Sequence, residues 1–205
     1  MNTALVIVDM LRDFVDGRLA NPAAMPTIER IHAMAEAARR RKDWIVAYGN
    51  DAHTSAMGSC ACSVSTPWWA PPGPQVVEEL TPQAGHRVPK RYYSAFTQTD
   101  LAATCLVQDV GRVVIVGQPD RLLCAIPPTT PFLRGFEVVV PADATAVFQP
   151  LWEEPVVACQ QRALDYLRTF YGVSVVRTAD LLGEADQAPS HLSRTAAAPD
   201  GLIAT

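Results

Sequence analysis

No stretch of this chain approaches the roughly 20 consecutive apolar residues that cross a bilayer as a helix, so no membrane partner is expected. Positive charge is also short. Lysine and arginine total 17 against 21 acidic residues, a net charge of -4. No basic stripe offsets that balance, which argues against a nucleic-acid partner. The one basic run, RRRK at 39–42, falls at a predicted helix end, where the helix dipole favours cations. The opening MNTALVIVDM lacks the basic region and cleavage site of a secretory leader. The five cysteines are odd in number and irregular in spacing, so they imply no disulfide framework. A reducing cytoplasm is the expected location. No glycine-rich phosphate fingerprint follows the first strand, so a dinucleotide is not an expected ligand. No internal repeat is present. No cofactor is expected, and no resident metal.

What remains is an ordinary globular composition, 49% hydrophobic and 19% charged, in a length suited to one domain. Residues 1–183 are expected to form it, with 184–205 a flexible tail. ALVIVD (4–9) is an apolar run ending in an acid, the pattern of a central parallel strand. DWIVAYG (43–49), RVVIVG (112–117) and FEVVVPADA (136–144) repeat it. Apolar residues at helical spacing predict a helix over 26–41, with Pro26 in its first turn. Further helices are predicted over 75–80, 98–109 and 153–172, the last closed by Gly172. Residues 86–96 read as extended and 173–182 as a last strand and turn. Residues 50–75 read as a long loop, which in a compact domain is usually functional.

Strands alternating with helices predict an α/β fold with a parallel sheet covered on both faces. Ligands of such sheets bind outside the carboxyl ends of the strands. That rule singles out Asp9, then Asn50, Asp51 and His53, then Lys90, and the segment 118–124. A carboxylate packed between apolar strands beside an ammonium can be tuned toward proton transfer.

ALVIVDMLRDF, VPKRYYSAFTQTDL and VVIVGQPDRLLC followed by LRGFEVVVPADATA together resemble the isochorismatase-like, or cysteine hydrolase, superfamily. The resemblance runs from about residue 4 to 182. It implies a three-layer Rossmann-like sandwich with a six-stranded parallel sheet, a small-molecule substrate and a homo-oligomer. It also implies a catalytic Asp, Lys and Cys, the first two mapping to Asp9 and Lys90. The family cysteine lies six residues after the glycine that ends its strand. From Gly117 that position is Leu123, and counting back twelve from Gly135 gives Leu123 again. Cys124 stands one place later, about 100° around a helix. The family's nucleophile is therefore expected to be absent. True isochorismatases resemble this arrangement, with glycine at the nucleophile position and cysteine after it. They cleave a vinyl ether, with the Asp as general acid to the enol carbon. Their substrate-contacting glutamine and tyrosine align here with Asp51 and Pro119.

The resemblance thus implies a hydrolase or lyase without a cysteine nucleophile, acting in a specialised metabolite pathway. Asp9 would be its general acid/base and Lys90 the electrostatic partner. Phe14, Tyr93, Phe96, Pro119 and Leu123 are expected to wall the pocket, with Asp51 touching substrate. Two alternatives stay open: an inactive binding or scaffold protein, and an amidase using Cys124. Asp51 and His53 form a D-x-H pair that in nicotinamidases helps bind metal, and Cys60 and Cys62 are the available soft ligands. A polar loop with buried thiols is the simpler reading. Trp68 and Trp69 are pocket, interface or loop-anchor residues. Cys105 and Cys159 sit at apolar helical phase and are expected in the core. The resemblance also implies a cis bond between Gln118 and Pro119, which a proline makes less costly. Pro127 and Pro128 require the following helix to start late or break.

Overall fold

The computed structural model describes residues 1–17, 20–52, 75–81, 85–118, 126–147 and 155–186. Six strands form one sheet: β1 (Asn2–Val8), β2 (Trp44–Asp51), β3 (His86–Lys90), β4 (Val110–Gly117), β5 (Glu137–Pro141) and β6 (Ser174–Val176). Every pairing is parallel, in the order β3-β2-β1-β4-β5-β6. Among the described residues six α-helices accompany them: α1 (Arg12–Val15), α2 (Ile28–Arg39), α3 (Leu101–Val107), α4 (Ile126–Leu133), α5 (Val156–Tyr171) and α6 (Thr178–Asp186). The expected three-layer α/β sandwich is what forms.

The alternation of β1 explains the layering. Leu5 and Ile7 face one apolar layer with Ile31, Met34 and Ala35 of α2 and Leu181 of α6. Ala4, Val6 and Val8 face the other, with Leu101 and Cys105 of α3 and Leu164 and Leu167 of α5. A strand covered on both sides can carry apolar residues at every position, and β1 does from Ala4 to Val8.

The chain steps outward from β1 to β3, then returns to β4 on the other side of β1. The switch point, where such sheets bind ligands, therefore lies between the carboxyl ends of β1 and β4. Gly117 ends β4 there with φ 94°. A Cβ at this position would meet the carbonyl oxygen of Val8 at 2.3 Å.

Several predicted boundaries change. Of the helix expected over 75–80, only Glu78–Leu80 turns, as a 3-10 segment. Residues 75–77 instead run antiparallel to 10–12, with the Arg12 amide donating to the Gln75 carbonyl (2.8 Å) and the Val77 amide to that of Met10 (3.1 Å). Backbone pairing there outweighs weak local helix propensity. Extended structure stops at Lys90, and the helix over 98–109 shrinks to α3. The turn expected after β6 is a full helix, α6. Its start is fixed by Asp143, whose carboxylate accepts from the Thr178 amide (2.8 Å) and hydroxyl (2.9 Å). α5 ends as expected, with Gly172 left-handed at φ 60°. Helix α4 begins at Ile126, so Pro127 and Pro128 occupy its first turn, where no N–H is needed. Pro131 lies deeper and removes one ladder bond.

Gly117→Ala should cost at least about 2 kcal/mol, because it combines a left-handed φ with a backbone collision. Urea unfolding of the folded variant measures this, and an unchanged midpoint with an unchanged slope would contradict it.

Candidate active site

Lys90 closes β3 and is only 1% exposed. A buried ammonium needs partners, and the register supplies them. Lys90 pairs with Asp51 across β2 and β3, so both side chains leave the same face of the sheet. The Lys90 Nζ donates to Asp51 Oδ1 and lies 2.7 Å from Asp9 Oδ2. The other Asp9 oxygen accepts from the Asp51 backbone amide at 2.9 Å. The Asp9 amide itself donates to the Gly49 carbonyl at 3.1 Å.

Strand alternation alone would not bring Asp9 to this cluster. Val8 faces the layer of α3 and α5, so a ninth strand residue would face α2. Asp9 instead adopts φ 51°, a left-handed conformation costly for a residue with a side chain. That kink turns its carboxylate to Lys90.

The electrostatics follow from burial. Two carboxylates and one ammonium, all ionised, sum to -1 away from water. Burial pushes the Asp9 pKa up from 3.8 to about 7, the Asp51 charge adds to the rise, and Lys90 opposes it. Burial would lower the Lys90 pKa, but the two carboxylates outweigh it and hold it above the ordinary lysine value.

Other expected site residues are placed differently. Phe14 lies buried in the layer of α2 and α6. Phe96 lies in the opposite layer, its ring centroid 5.9 Å from that of Phe136. Tyr93 is 52% exposed. Asn50 is buried beside Asp51, and among the described residues neither of its side-chain polar atoms has a hydrogen-bond partner. His53, Cys60, Cys62, Trp68, Trp69, Pro119, Leu123 and Cys124 lie outside the described residues, as does the Gln118–Pro119 bond. Among the described residues, no group of three or more His, Cys, Asp or Glu could hold a metal. Cys105 is buried as expected, and burial pushes its thiol up to about 11, which leaves it inert. Cys159 is only half-buried, a correction to its expected core placement. It lies on the flank of α5, whose fully buried residues are Leu164 and Leu167. His32 Nδ1 contacts the Glu79 carbonyl (2.7 Å) and His86 Nε2 the Asp100 carboxylate (3.0 Å), so neither joins the cluster.

The family model for the isochorismatase domain matches residues 3–180. The chain belongs to the isochorismatase family. Among solved structures, it is similar to the N-carbamoylsarcosine amidase of Thermoplasma acidophilum, at 28% identity and a TM-score of 0.67, covering 87% of this chain and 97% of that one. An isochorismatase-like hydrolase from Alkaliphilus metalliredigens shares 23% identity with a TM-score of 0.73, covering 90% of this chain and 99% of that one. The nicotinamidase of Bacillus subtilis shares 21% identity with a TM-score of 0.68, covering 86% and 100%. These last two similarities concern the fold. No curated protein matches the chain. No helix among the described residues is long and apolar enough to cross a membrane.

The amide pair of Gln118 and Asn21 was not singled out from sequence. Gln118 fell within the segment after β4, but nothing in the spacing links it to an asparagine 97 positions earlier.

Lys90→Met should destabilise the protein by about 3–5 kcal/mol at pH 7, the range for removing one partner of a buried ion pair. The loss should be smaller at pH 4. A carboxyl with a raised folded pKa contributes stability that is fully present below its ordinary value of 3.8 and lost as pH rises through about 7. Urea unfolding at both pH values tests the sign, and equal losses would contradict it.

Proposed function

We propose that this chain is a small-molecule hydrolase or lyase of the isochorismatase type, with Asp9 as general acid/base, Lys90 as its electrostatic partner and no cysteine nucleophile. The observation that carries the reading is the buried Lys90 ammonium held between Asp9 and Asp51 at the carboxyl ends of β1, β2 and β3, beside the switch point of the sheet. A protonated Asp9 can deliver its proton to an enol carbon. The C=C electron pair forms the new C–H bond, and a stabilised oxocarbenium remains. Water adds to that cation and returns a proton to the Asp9 carboxylate. The hemiketal then expels the alcohol. Lys90 stays charged throughout and stabilises the carboxylate as it forms. The residues at 119 and 123 are proline and leucine, both apolar, so a small, partly apolar metabolite is the substrate class this reading favours. Self-association beside the pocket accompanies this reading.

A second reading is an amide hydrolase using Cys124, supported by the 28% identity with an amidase. In that case Asp9 would take the thiol proton.

Turnover is measured on a panel of carboxylated enol ethers and primary amides. Asp9→Asn should lose about 10²–10⁴-fold in kcat, the usual contribution of a general acid–base group. Folded Cys124→Ser should stay within a few-fold. Loss of activity in Cys124→Ser would establish the amidase reading instead. Saturable binding with no turnover on any member would favour a binding protein.

The pH profile gives a separate check. A general acid works only while protonated, so kcat should fall as pH rises through about 7. A kcat that rises through the same range would mean that Asp9 acts as a base in the limiting step.

A further inference from the structure

We propose that Gln118 is a positioning residue for Asp9, and that Asn21 holds Gln118 in place to do it. The inference rests on Asp9 being the reactive acid, but the contact itself stands independently of that. The left-handed turn at Asp9 takes its carbonyl out of the strand ladder. A buried carbonyl must still find a donor. The Gln118 Nε2 supplies one at 3.3 Å, and gives its other hydrogen to the Phe14 carbonyl at 3.2 Å. Its Oε1 accepts from Asn21 Nδ2 at 3.1 Å. Asn21 gives its second hydrogen to the Val147 carbonyl at 3.1 Å, and its Oδ1 accepts from the Ala23 amide at 3.1 Å. All four amide hydrogens are used.

Both side chains are buried, Asn21 at 2% and Gln118 at 5% exposure. Two buried amides in an otherwise apolar layer cost desolvation unless fully paired. An aliphatic residue at 118 would fill the volume without that demand. What an aliphatic residue lacks is a donor for Asp9. The pair also joins the turn at 21, the end of β4 and the segment after β5, so the Asp9 carbonyl is braced against three pieces of backbone. On its other side the Asp9 amide is tied to β2. With the carbonyl released, the costly φ at Asp9 can relax toward the extended region. The carboxylate then swings away from Lys90 toward water.

The test uses the full chain and needs no substrate. The Asp9 carboxyl is followed by carbon NMR in protein labelled at aspartate, assigned by its disappearance in Asp9→Asn. Gln118→Met keeps length and volume but removes the donor. It should lower the Asp9 titration midpoint by about one pH unit or more, toward the ordinary carboxyl range. Asn21→Leu should move it in the same direction by less. The double variant should match Gln118→Met alone, since Asn21 acts through Gln118. Where turnover is found, kcat should fall at least about tenfold with KM little changed, the sign of an interaction that matters in the transition state. A wild-type Asp9 midpoint in folded Gln118→Met overturns the proposal. So does failure of both single variants to fold, since the amides would then hold the fold and not aim the acid. If Asp9→Asn keeps full activity while the midpoint still shifts, the functional reading fails and the positioning contact stands.

Discussion

A lysine ammonium with 1% of its surface exposed has to be neutralised by the protein, and much of the upper edge of the sheet is organised around that requirement. β3 must end where its last residue sits opposite Asp51. β2 must run far enough to present Asp51, so Asn50 and Asp51 belong to the strand and not to the loop that follows. β1 must stop one residue short of the acid, leaving Asp9 free to turn. Breaking such a buried cluster from one side leaves an uncompensated charge, which is why the three residues constrain one another's position.

The turn at Asp9 is the part of this arrangement that the sheet does not provide by itself. Period-two alternation would send its side chain to the wrong layer, and a left-handed φ corrects the direction at an energetic cost. Strain of this kind persists when neighbouring contacts over-determine the residue. At Asp9 they do: its amide, its carbonyl and both carboxylate oxygens each have a partner. Glycine would adopt the same φ freely. It would carry no acid, so the site accepts a strained aspartate and surrounds it.

The sequence made the architecture readable because both-face burial leaves a plain signature. Runs such as ALVIVD and VVIVG can be little else in a chain whose intervening segments have helical periodicity. Asp9 and Lys90 were readable for the same reason, since each stands at the carboxyl end of a strand and each sits in a motif resembling the family's. Asp51 was readable as a strand-end acid, but its bond to Lys90 depends on register between β2 and β3, which no local pattern encodes. Residues 75–77 read as helical from sequence because their pairing partner, residues 10–12, lies over 60 positions away. Gln118 and Asn21 were unreadable as a pair for the same physical reason. A buried amide shows its purpose only when its partners are in place, and in sequence Asn21–Pro22 looks like any turn.

The Asp–Lys–Asp set does not by itself select a reaction. With its proton on, Asp9 can donate to carbon; with it off, the same carboxylate can accept from a thiol. A pKa raised to about 7 leaves both forms populated near neutrality, so either branch of the family's chemistry is available to it. The choice passes to whatever side chain stands across the pocket. A thiol there has a proton to give and a sulfur to attack with. Leu123 has neither. If it occupies that place, the base has no nucleophile to activate, and the acid form of Asp9 is the one left with work. Under the reading proposed above, a substrate must then carry its own reactive centre, an electron-rich carbon ready for a proton, since that reading gives it no covalent partner.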